Sequence, residues 1–564
     1  MRWTLKPEPH PKKIEVLSKE LSVDRTIAKI LLQRGVESYE DAKAFFRPSL
    51  SDLHNPFLMK DMDKAVARIE KALDQGENIL VYGDYDVDGT TAVALVTQYL
   101  QSKQPNIATY VPDRDTEGYG ISFQGIDYAD DNGFSLVIAL DCGIKAVDKI
   151  AYARARNIDF IICDHHTPGE TLPEAVAILN PKQSDCSYPY SELCGCGIGF
   201  KLIQALHQKE DKPVEELLPY LDLVATSIAA DIVPMNGENR ILTYFGLKVI
   251  NENPSVGIKA LMGEVKMDKM DITDVVFLIA PRINAAGRLK HANYAVELLM
   301  ETDPMKAQEM AAAINVINTD RKNLDKQITQ EALHQVALLQ NKYEYTTVVY
   351  NENWHKGVVG IVASRLIETY YRPTVVFTKS GDLLVASARS VKGFDLYEAL
   401  EACSAYIEQF GGHKYAAGLR ILPENLDLFR DKFEEVVQNN ITEDMREPEI
   451  KVDSELFLSE ITPKFYRILQ QMAPFGPHNM QPVFMASGLR DNGYSRPVGS
   501  ENTHLKLSIV EGANPITYNG IGFNLASKIA LLQKPFKAVF TLDENIWNNQ
   551  SSIQLKVKDI KEDK

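Results

Sequence analysis

The sequence predicts an α/β protein: a doubly wound parallel sheet, a long helical connector, a second and smaller α/β domain, and a C-terminal β-barrel. Three observations carry this. Between Ile79 and Leu179, five short runs that are apolar throughout alternate with amphipathic stretches. Strands of that kind separated by helices mark a parallel sheet covered on both faces. Residues 302–342 contain no glycine and only Pro304, and from Glu449 onward short alternating runs are separated by Gly and Asn turns, the pattern of a small barrel. With 564 residues the chain is also too long for one hydrophobic core.

Residues 1–66 hold short helical patterns punctuated by Gly35, Pro48 and Pro56, an N-terminal extension expected to pack on the domain next to it in sequence. Residues 67–300 form that first domain. Its apolar runs are Ile79–Tyr82, Ala108–Val111, Leu136–Leu140, Phe160–Cys163 and Val176–Leu179, with helices predicted over Thr90–Gln101 and Ala146–Arg156. Residues 301–343 read as one long helix, or two, bridging domains. A second strand-helix series opens at Thr347–Tyr350 and fills 344–435. Residues 445–564, with runs such as Thr503–Ile509 and Ala538–Leu542, make the barrel.

No run approaches the roughly 18 apolar residues of a membrane span, and the first residues lack a signal-peptide core; a cytoplasmic protein away from membranes is expected. The formal net charge of −16 argues against nonspecific coating of duplex nucleic acid, which leaves a basic footprint. It is compatible with a carboxylate-rich metal site and with a local groove that threads one strand. The six cysteines do not form a disulfide framework. Cys194-Gly195-Cys196 lacks the second paired cluster of a zinc site and reads as buried thiols.

Three of the apolar runs end in groups that bind cations. The first continues as Gly83-Asp84-Tyr85-Asp86-Val87-Asp88-Gly89, the third as Asp141-Cys142-Gly143, and the fourth as Asp164-His165-His166; another acid follows in Ala230-Asp231-Ile232-Val233-Pro234. The carboxyl ends of strands in an open α/β sheet converge on one crevice, so groups remote in sequence can meet there. Asp86 and Asp88 are two apart and would point the same way in an extended chain, with Gly89 turning the backbone into a helix from Thr90. Carboxylate oxygens with an imidazole suit two Mn²⁺ or Mg²⁺ ions. Taken singly, an Asp-x-Asp at a strand end is more often a helix cap or turn; the combination is what points to metal.

Together these residues resemble the DHH phosphoesterase superfamily, whose eponymous motif is here Asp164-His165-His166. The resemblance implies that Asp86, Asp88, Asp141, His165 and Asp231 ligate two ions. It assigns His166 to the scissile phosphate and leaves Asp84 and Asp164 as adjacent catalytic groups. Where smaller relatives carry a histidine, this chain has Tyr82, so Asp84 takes over part of that role. Ser387-Ala388-Arg389-Ser390 and Gly411-Gly412-His413 resemble the accompanying DHHA1 domain. Pro281–Arg288, Trp354–Arg365 and Pro112–Gly120 are most similar to the RecJ exonuclease branch, which also carries a C-terminal OB-like barrel.

That branch implies 5′-to-3′ hydrolysis of single-stranded DNA in recombination and repair, by a monomer working beside a single-strand-binding protein and a helicase. Arg114, Ser387 and Arg389 are the candidates for a 5′-terminal phosphate, because guanidinium groups bind phosphate bidentately. Gly411 and Gly412 allow backbone amides to approach an anion, with His413 beside them. Arg282 and His355 are expected along the strand; Phe484, Tyr494, Tyr518 and Phe523 are weaker stacking candidates on the barrel. Two other readings stand against this one. They are a phosphodiesterase for short RNA or cyclic dinucleotides, and a nonenzymatic DNA-binding scaffold on the same fold.

Overall fold

The computed structural model describes residues 1–263, 269–339, 342–512, 516–547 and 550–563, so residues 340–341 of the expected connector and Lys564 lie outside the described residues. The chain begins with β1 (Arg2–Leu5) and three short helices, α1 (Pro11–Leu21), α2 (Arg25–Gln33) and α3 (Tyr39–Phe46). α3 starts on a capping box in which Ser38 and Asp41 exchange bonds with each other's backbone.

The first domain continues with α4 (Met62–Asp74), β2 (Ile79–Gly83), α5 (Val87–Gln101), β3 (Ile107–Tyr110), α6 (Phe123–Asp131), β4 (Leu136–Leu140), α7 (Val147–Arg154), β5 (Asp159–Cys163) and β6 (Ala177–Leu179). The five strands are parallel in the order β3-β2-β4-β5-β6. Both faces of β2, β4, β5 and β6 are buried and alternate residue by residue, whereas the edge strand β3 is half-buried. Ile79, Val81, Ile138 and Ile161 enter the core shared with α4 and α5. Leu80, Val137, Phe160 and Ile162 enter a second core with Ile126 of α6 and Ile150 of α7. This explains why the runs are apolar throughout. Three helices, α8 (Gly195–Lys209), α9 (Leu221–Asp231) and α10 (Gly237–Glu252), complete the first core. The chain leaves β2 toward β3 and β4 toward β5, in opposite directions, so the carboxyl ends of β2 and β4 flank a topological switch point.

The connector is one helix, Pro304–Leu339, of 36 residues, spanning roughly 54 Å at 1.5 Å per residue. Ala307, Ala311 and Ile314 on its first half join the first domain's core. Ile328, Ala332 and Val336 on its second half pack with Trp354 and Val362 of the next domain. That domain holds β7 (Thr347–Tyr350), β8 (Thr374–Ser380), β9 (Leu383–Arg389), β10 (Gln409–His413) and β11 (Ala416–Ile421) in the order β10-β11-β9-β8-β7. Only β7 and β8 pair in parallel.

The last part contains β12 (Glu449–Val452), β13 (Ser454–Glu455), β14 (Phe484–Asp491), β15 (Arg496–Val498), β16 (His504–Glu511), β17 (Tyr518–Gly522), β18 (Phe536–Trp547) and β19 (Gln550–Glu562). β14, β18, β19, β17 and β16 follow one another, and β16 pairs back onto β14. That closes a five-stranded barrel of the OB type. Among the described residues no helix is long and apolar enough to cross a membrane.

The expected packing of the N-terminal extension on the first domain holds for residues 50–66, where Leu50, Leu53 and Met59 join that domain's core. It is corrected for residues 2–46, whose core lies with the far end of the chain. β1 pairs in parallel with β12, and Ile14, Leu17, Ile27 and Leu31 share one core with Phe465, Phe484 and Phe540. The apolar faces of α1 and α2 needed a partner, and nothing local in sequence shows that it lies more than 400 residues away. Arg240 of α10 then ties this unit to the first domain. Its buried guanidinium donates to the carbonyls of Phe45, Met472, Ala473 and Pro474 and stacks 3.9 Å from the Phe45 ring centroid.

Each buried acceptor left without a donor costs about 1–3 kcal/mol. Arg240→Ala is therefore expected to destabilise the protein by about 3 kcal/mol and to open the junction between the first domain and the barrel to limited proteolysis. Unchanged melting and an unchanged digestion pattern would refute the clamp.

Candidate metal centre and anion pocket

β2 ends at Gly83 and the next residues set the geometry of the site. Asp86 is the N-cap of α5, its carboxylate accepting the Gly89 amide at 3.0 Å. The helix thus begins at Val87, not Thr90, and Asp86 and Asp88 are not side by side on an extended chain. Asp88 lies in the first helical turn. Gly89 is inside the helix, where a Cβ would stand 2.3 Å from the Asp84 carbonyl oxygen; the glycine serves close approach, not a turn. Three donors hold the Asp88 carboxylate: the amides of Gly195 and Cys196 at the start of α8, each at 2.6 Å, and the Ser227 hydroxyl of α9 at 2.5 Å. Cys194 caps α8 through its sulfur, accepting the Gly197 amide. Cys194-Gly195-Cys196 therefore builds a carboxylate-binding helix end, with both thiols buried and free.

After β4, Asp141 adopts a left-handed backbone (φ 59°) and packs so closely on Gly195 that a Cβ there would meet the Asp141 Cβ at 2.6 Å. After β5, Asp164 turns inward. It accepts the Ile144 amide at 2.9 Å and His166 Nδ1 at 2.7 Å, so it orients the loop after β4 and the His166 ring together. The other ring nitrogen of His166 lies 3.2 Å from the Tyr119 hydroxyl. His165 Nε2 faces three carboxylates, at 3.1 Å from Asp141, 3.6 Å from Asp88 and 3.7 Å from Asp231. Asp231 closes α9, and Ile232 after it takes a left-handed backbone with φ 58°. Strain of that kind costs on the order of 1–3 kcal/mol.

Burial, with the charges of Asp88, Asp86, Asp84 and Asp164, holds the Asp141 carboxyl well above the usual range. Burial and Asp86 do the same for Asp84. Burial and Asp88 raise Asp86, and burial with Asp88 and Asp86 pushes Asp231 up to about 8. Asp164 is the exception. Burial opposes ionisation, yet the hydrogen bond and charge of His166 and the backbone amides keep it below its ordinary value. In turn burial pulls His166 down while Asp164 outweighs it, so this imidazole is raised; burial lowers His165. Asp141 Oδ1 and Asp84 Oδ2 are buried and receive no hydrogen bond.

Two overlapping sets, Asp88-His165-Asp231 and Asp141-His165-His166, each bring their ligand atoms within 4.8 Å of one another. Unpaired oxygens with the His165 imidazole common to both sets fit a hard divalent cation. Asp86 borders the cluster electrostatically, while its carboxylate also caps α5.

A cavity of about 570 Å³ opens between the first and second α/β domains. Its walls include Arg114 from the first domain and Ser387, Arg389, Gly411 and Gly412 from the sheet of the second. Arg389 donates to Ser387 Oγ at 3.0 Å. Arg114 lies over the Tyr85 ring at 5.1 Å and acts electrostatically on Asp84, so the cavity adjoins the carboxylate cluster. Gly411 and Gly412 lie in edge strand β10, and open space surrounds Gly411.

Behind the wall stands a residue that the sequence places inside a motif without singling it out. Arg288 is half-buried, donates to the Gly357 carbonyl at 3.1 Å, and is pushed down to about 10 by desolvation and the charges of Arg114, Arg321 and Arg389. Cations assembled in this way favour an anion. Its sequence signal is faint, since one arginine at the end of a helix has no periodic signature. Lys182 carries no sequence signal either; its charge acts on Asp231 and His165.

The remaining expected residues do not line the cavity. Arg282 is taken by Asn315 at 2.6 Å and by the Leu278 carbonyl, tying its helix to the connector. His355 accepts the Gly357 amide at 3.0 Å, beside the cavity wall. His413 is exposed at the end of β10. On the barrel, Phe484 belongs to the core and Tyr518 is half-buried against it. Tyr494 is exposed, as is Phe523, which meets His504 edge-on at 5.2 Å.

The raised Asp231 carboxyl sets a pH test. Between about 4 and about 8 the folded, metal-free protein keeps a proton here that the unfolded chain has released, so this group's contribution to stability falls as pH rises through that window. A divalent cation held by this carboxylate would displace the proton. Mn²⁺ titrations at pH 7 in buffers of different ionisation enthalpy are expected to show proton release that shrinks at pH 9 and in Asp231→Asn. No release at pH 7 would refute the arrangement.

Comparison with known proteins agrees with this fold. The family model for the DHH family, N-terminal domain, matches residues 78–228, that for the DHHA1 domain residues 340–439, and that for the RecJ OB domain residues 452–559. The single-stranded-DNA-specific exonuclease RecJ of Bacillus subtilis (strain 168) is 35% identical over 99% of this chain and 70% of its own length. The crystal structure of RecJ in complex with Mn²⁺ from Thermus thermophilus superposes with a TM-score of 0.86 at 26% identity, covering 99% of this chain and 79% of that one. The Mg²⁺ complex from the same organism gives 0.79 at 26% identity, over 99% and 78%. Identity at this level along nearly the whole chain, together with matches to the DHH, DHHA1 and RecJ OB domain models, places the protein in the RecJ family of single-stranded-DNA-specific exonucleases.

Proposed function

We propose that this chain is a divalent-metal-dependent exonuclease that shortens single-stranded DNA from its 5′ end, with two Mn²⁺ or Mg²⁺ ions held by Asp86, Asp88, Asp141, His165 and Asp231. The observation that carries the polarity is the pocket of Arg114, Ser387 and Arg389, backed by Arg288, next to the carboxylate cluster. Natural DNA ends in a phosphate monoester at its 5′ side and usually a hydroxyl at its 3′ side. A site for a terminal monoester, with guanidinium groups to bind it bidentately, therefore selects the 5′ end.

When bound, the divalent ions act as Lewis acids on phosphoryl oxygen and water. The chain's own groups do the rest. Asp164 holds His166 by Nδ1, leaving Nε2, beside the Tyr119 hydroxyl, to donate to a non-bridging oxygen as negative charge develops. Arg114 and Arg389 fix the terminal phosphate and thereby the register of cleavage. Asp84 sits behind Asp86 and the Gly120 amide, shaping the field of the cluster. In this division residues 67–300 cleave, 344–435 read the end, and 445–564 grip the strand. A nuclease confined to single strands needs them supplied, which supports a helicase and a single-strand-binding protein as partners of a monomeric enzyme.

The test is degradation of a 5′-phosphorylated, 3′-labelled single strand beside its 5′-blocked twin, with Mn²⁺, Mg²⁺ or EDTA. Only the open strand should shorten, only with metal, and not with Asp141→Ala. Loss of one charged hydrogen-bonding group makes Arg389→Ala slower by about 10–100-fold on the phosphorylated strand. Cleavage of dinucleotides alone would show a short-substrate phosphodiesterase, and binding without cleavage a scaffold.

A further inference from the structure

We infer that Ile232 is a substrate-contact residue of this nuclease, its side chain packing on the apolar face of a nucleotide next to the scissile phosphate. The inference rests on the exonuclease reading and adds a residue to it.

Nine non-glycine residues among those described have a left-handed backbone, and eight are Ser, Asp, Asn or His, which tolerate it. The ninth is Ile232, at φ 58° and ψ 32°. A β-branched side chain crowds its own backbone in that region, so an isoleucine there is an outlier. Burial does not compensate, because Ile232 is 67% exposed. Nor does the turn require it. The backbone just beyond is held by other residues, the Pro234 carbonyl accepting Asn239 Nδ2 at 3.0 Å and the Tyr190 hydroxyl at 3.3 Å. Glycine or asparagine would make the same turn without strain.

What remains is the outward contact of the side chain, and its position says with what. Ile232 follows Asp231, whose carboxylate is 3.7 Å from His165 Nε2, and the charge of Lys182 acts on the same carboxylate. An exposed aliphatic group one residue from a carboxylate of the centre can bind neither cation, proton nor phosphate. The apolar parts of a nucleotide, its deoxyribose face and its base, are what it can touch. Strain retained beside a functional centre, with no return inside the fold, is the pattern of a residue kept for its ligand.

The experiment compares wild type with Ile232→Gly, Ile232→Asn and Ile232→Leu. It measures melting temperature, Mn²⁺ affinity by calorimetry, and steady-state degradation of a 5′-phosphorylated single strand. Ile232→Gly and Ile232→Asn should melt at the same or a higher temperature and bind Mn²⁺ as wild type does. Their KM should rise about tenfold, the loss of one apolar contact, with kcat changed far less. Ile232→Leu should restore KM. Unchanged KM in Ile232→Gly would overturn the inference, since the side chain would be idle. Lower melting with weaker Mn²⁺ binding would also overturn it, by showing that Ile232 supports the metal centre. A wild-type protein that binds Mn²⁺ but shortens no strand would overturn the exonuclease reading and this inference together.

Discussion

The Asp88 carboxylate is the point on which the first domain turns. It sits in the first turn of α5, and its oxygens take two amides from α8 and a hydroxyl from α9, so three helices are indexed to one side chain that also faces His165. A helix N-terminus is a natural anion site, and here it is occupied by a group of the protein itself. Around it the backbone has no slack. A methyl group on Gly89 would strike the Asp84 carbonyl, and one on Gly195 would strike Asp141. The spacing among the carboxylates is therefore set by backbone contacts and not by flexible side chains, as a centre that must present fixed ligand positions requires.

Electrostatics runs against that packing. Asp84, Asp86, Asp141 and Asp231 are all pushed above their ordinary range by burial and by one another. Across the interdomain cavity the sign inverts, with Arg114, Arg288 and Arg389 gathered where burial and mutual repulsion lower the two innermost, Arg288 and Arg389. A chain of net charge −16 thus separates its unfavourable charge into two adjoining wells of opposite sign. On the proposed function, cations would satisfy one and an anion the other, so a phosphodiester strand with a terminal phosphate, bound together with divalent metal, would relieve both at once.

Much of this was legible in the sequence, for identifiable reasons. Strands buried on both faces must be apolar at every position, so β2, β4 and β5 could be located and their carboxyl ends searched for ligands. The connector showed itself because 36 residues without glycine leave few alternatives to a helix. Less legible was anything decided by tertiary contact. Asp86 and Asp88 were expected on an extended segment, but the capping bond from Gly89 to Asp86 starts the helix three residues early. The Cys194 segment carried no sign that its amides would grip Asp88. Arg282 and Arg288 share one motif, yet packing sends the first to Asn315 and the second to the Gly357 carbonyl. Spacing alone cannot separate them.

The interlock between β1–α3 and the barrel has a consequence for biogenesis. Residues 2–46 leave the ribosome well before residues 449–562, which supply the other half of their core. At about 5–20 residues per second, the apolar faces of α1 and α2 wait on the order of half a minute for Phe465, Phe484 and Phe540. The first two domains can fold during that interval, but the N-terminal helices cannot bury their surface. Until the barrel emerges, the nascent chain therefore carries the apolar faces of α1 and α2 without the residues that cover them. A ribosome stalled anywhere between the two halves would hold a folded nuclease core with an exposed, aggregation-prone head.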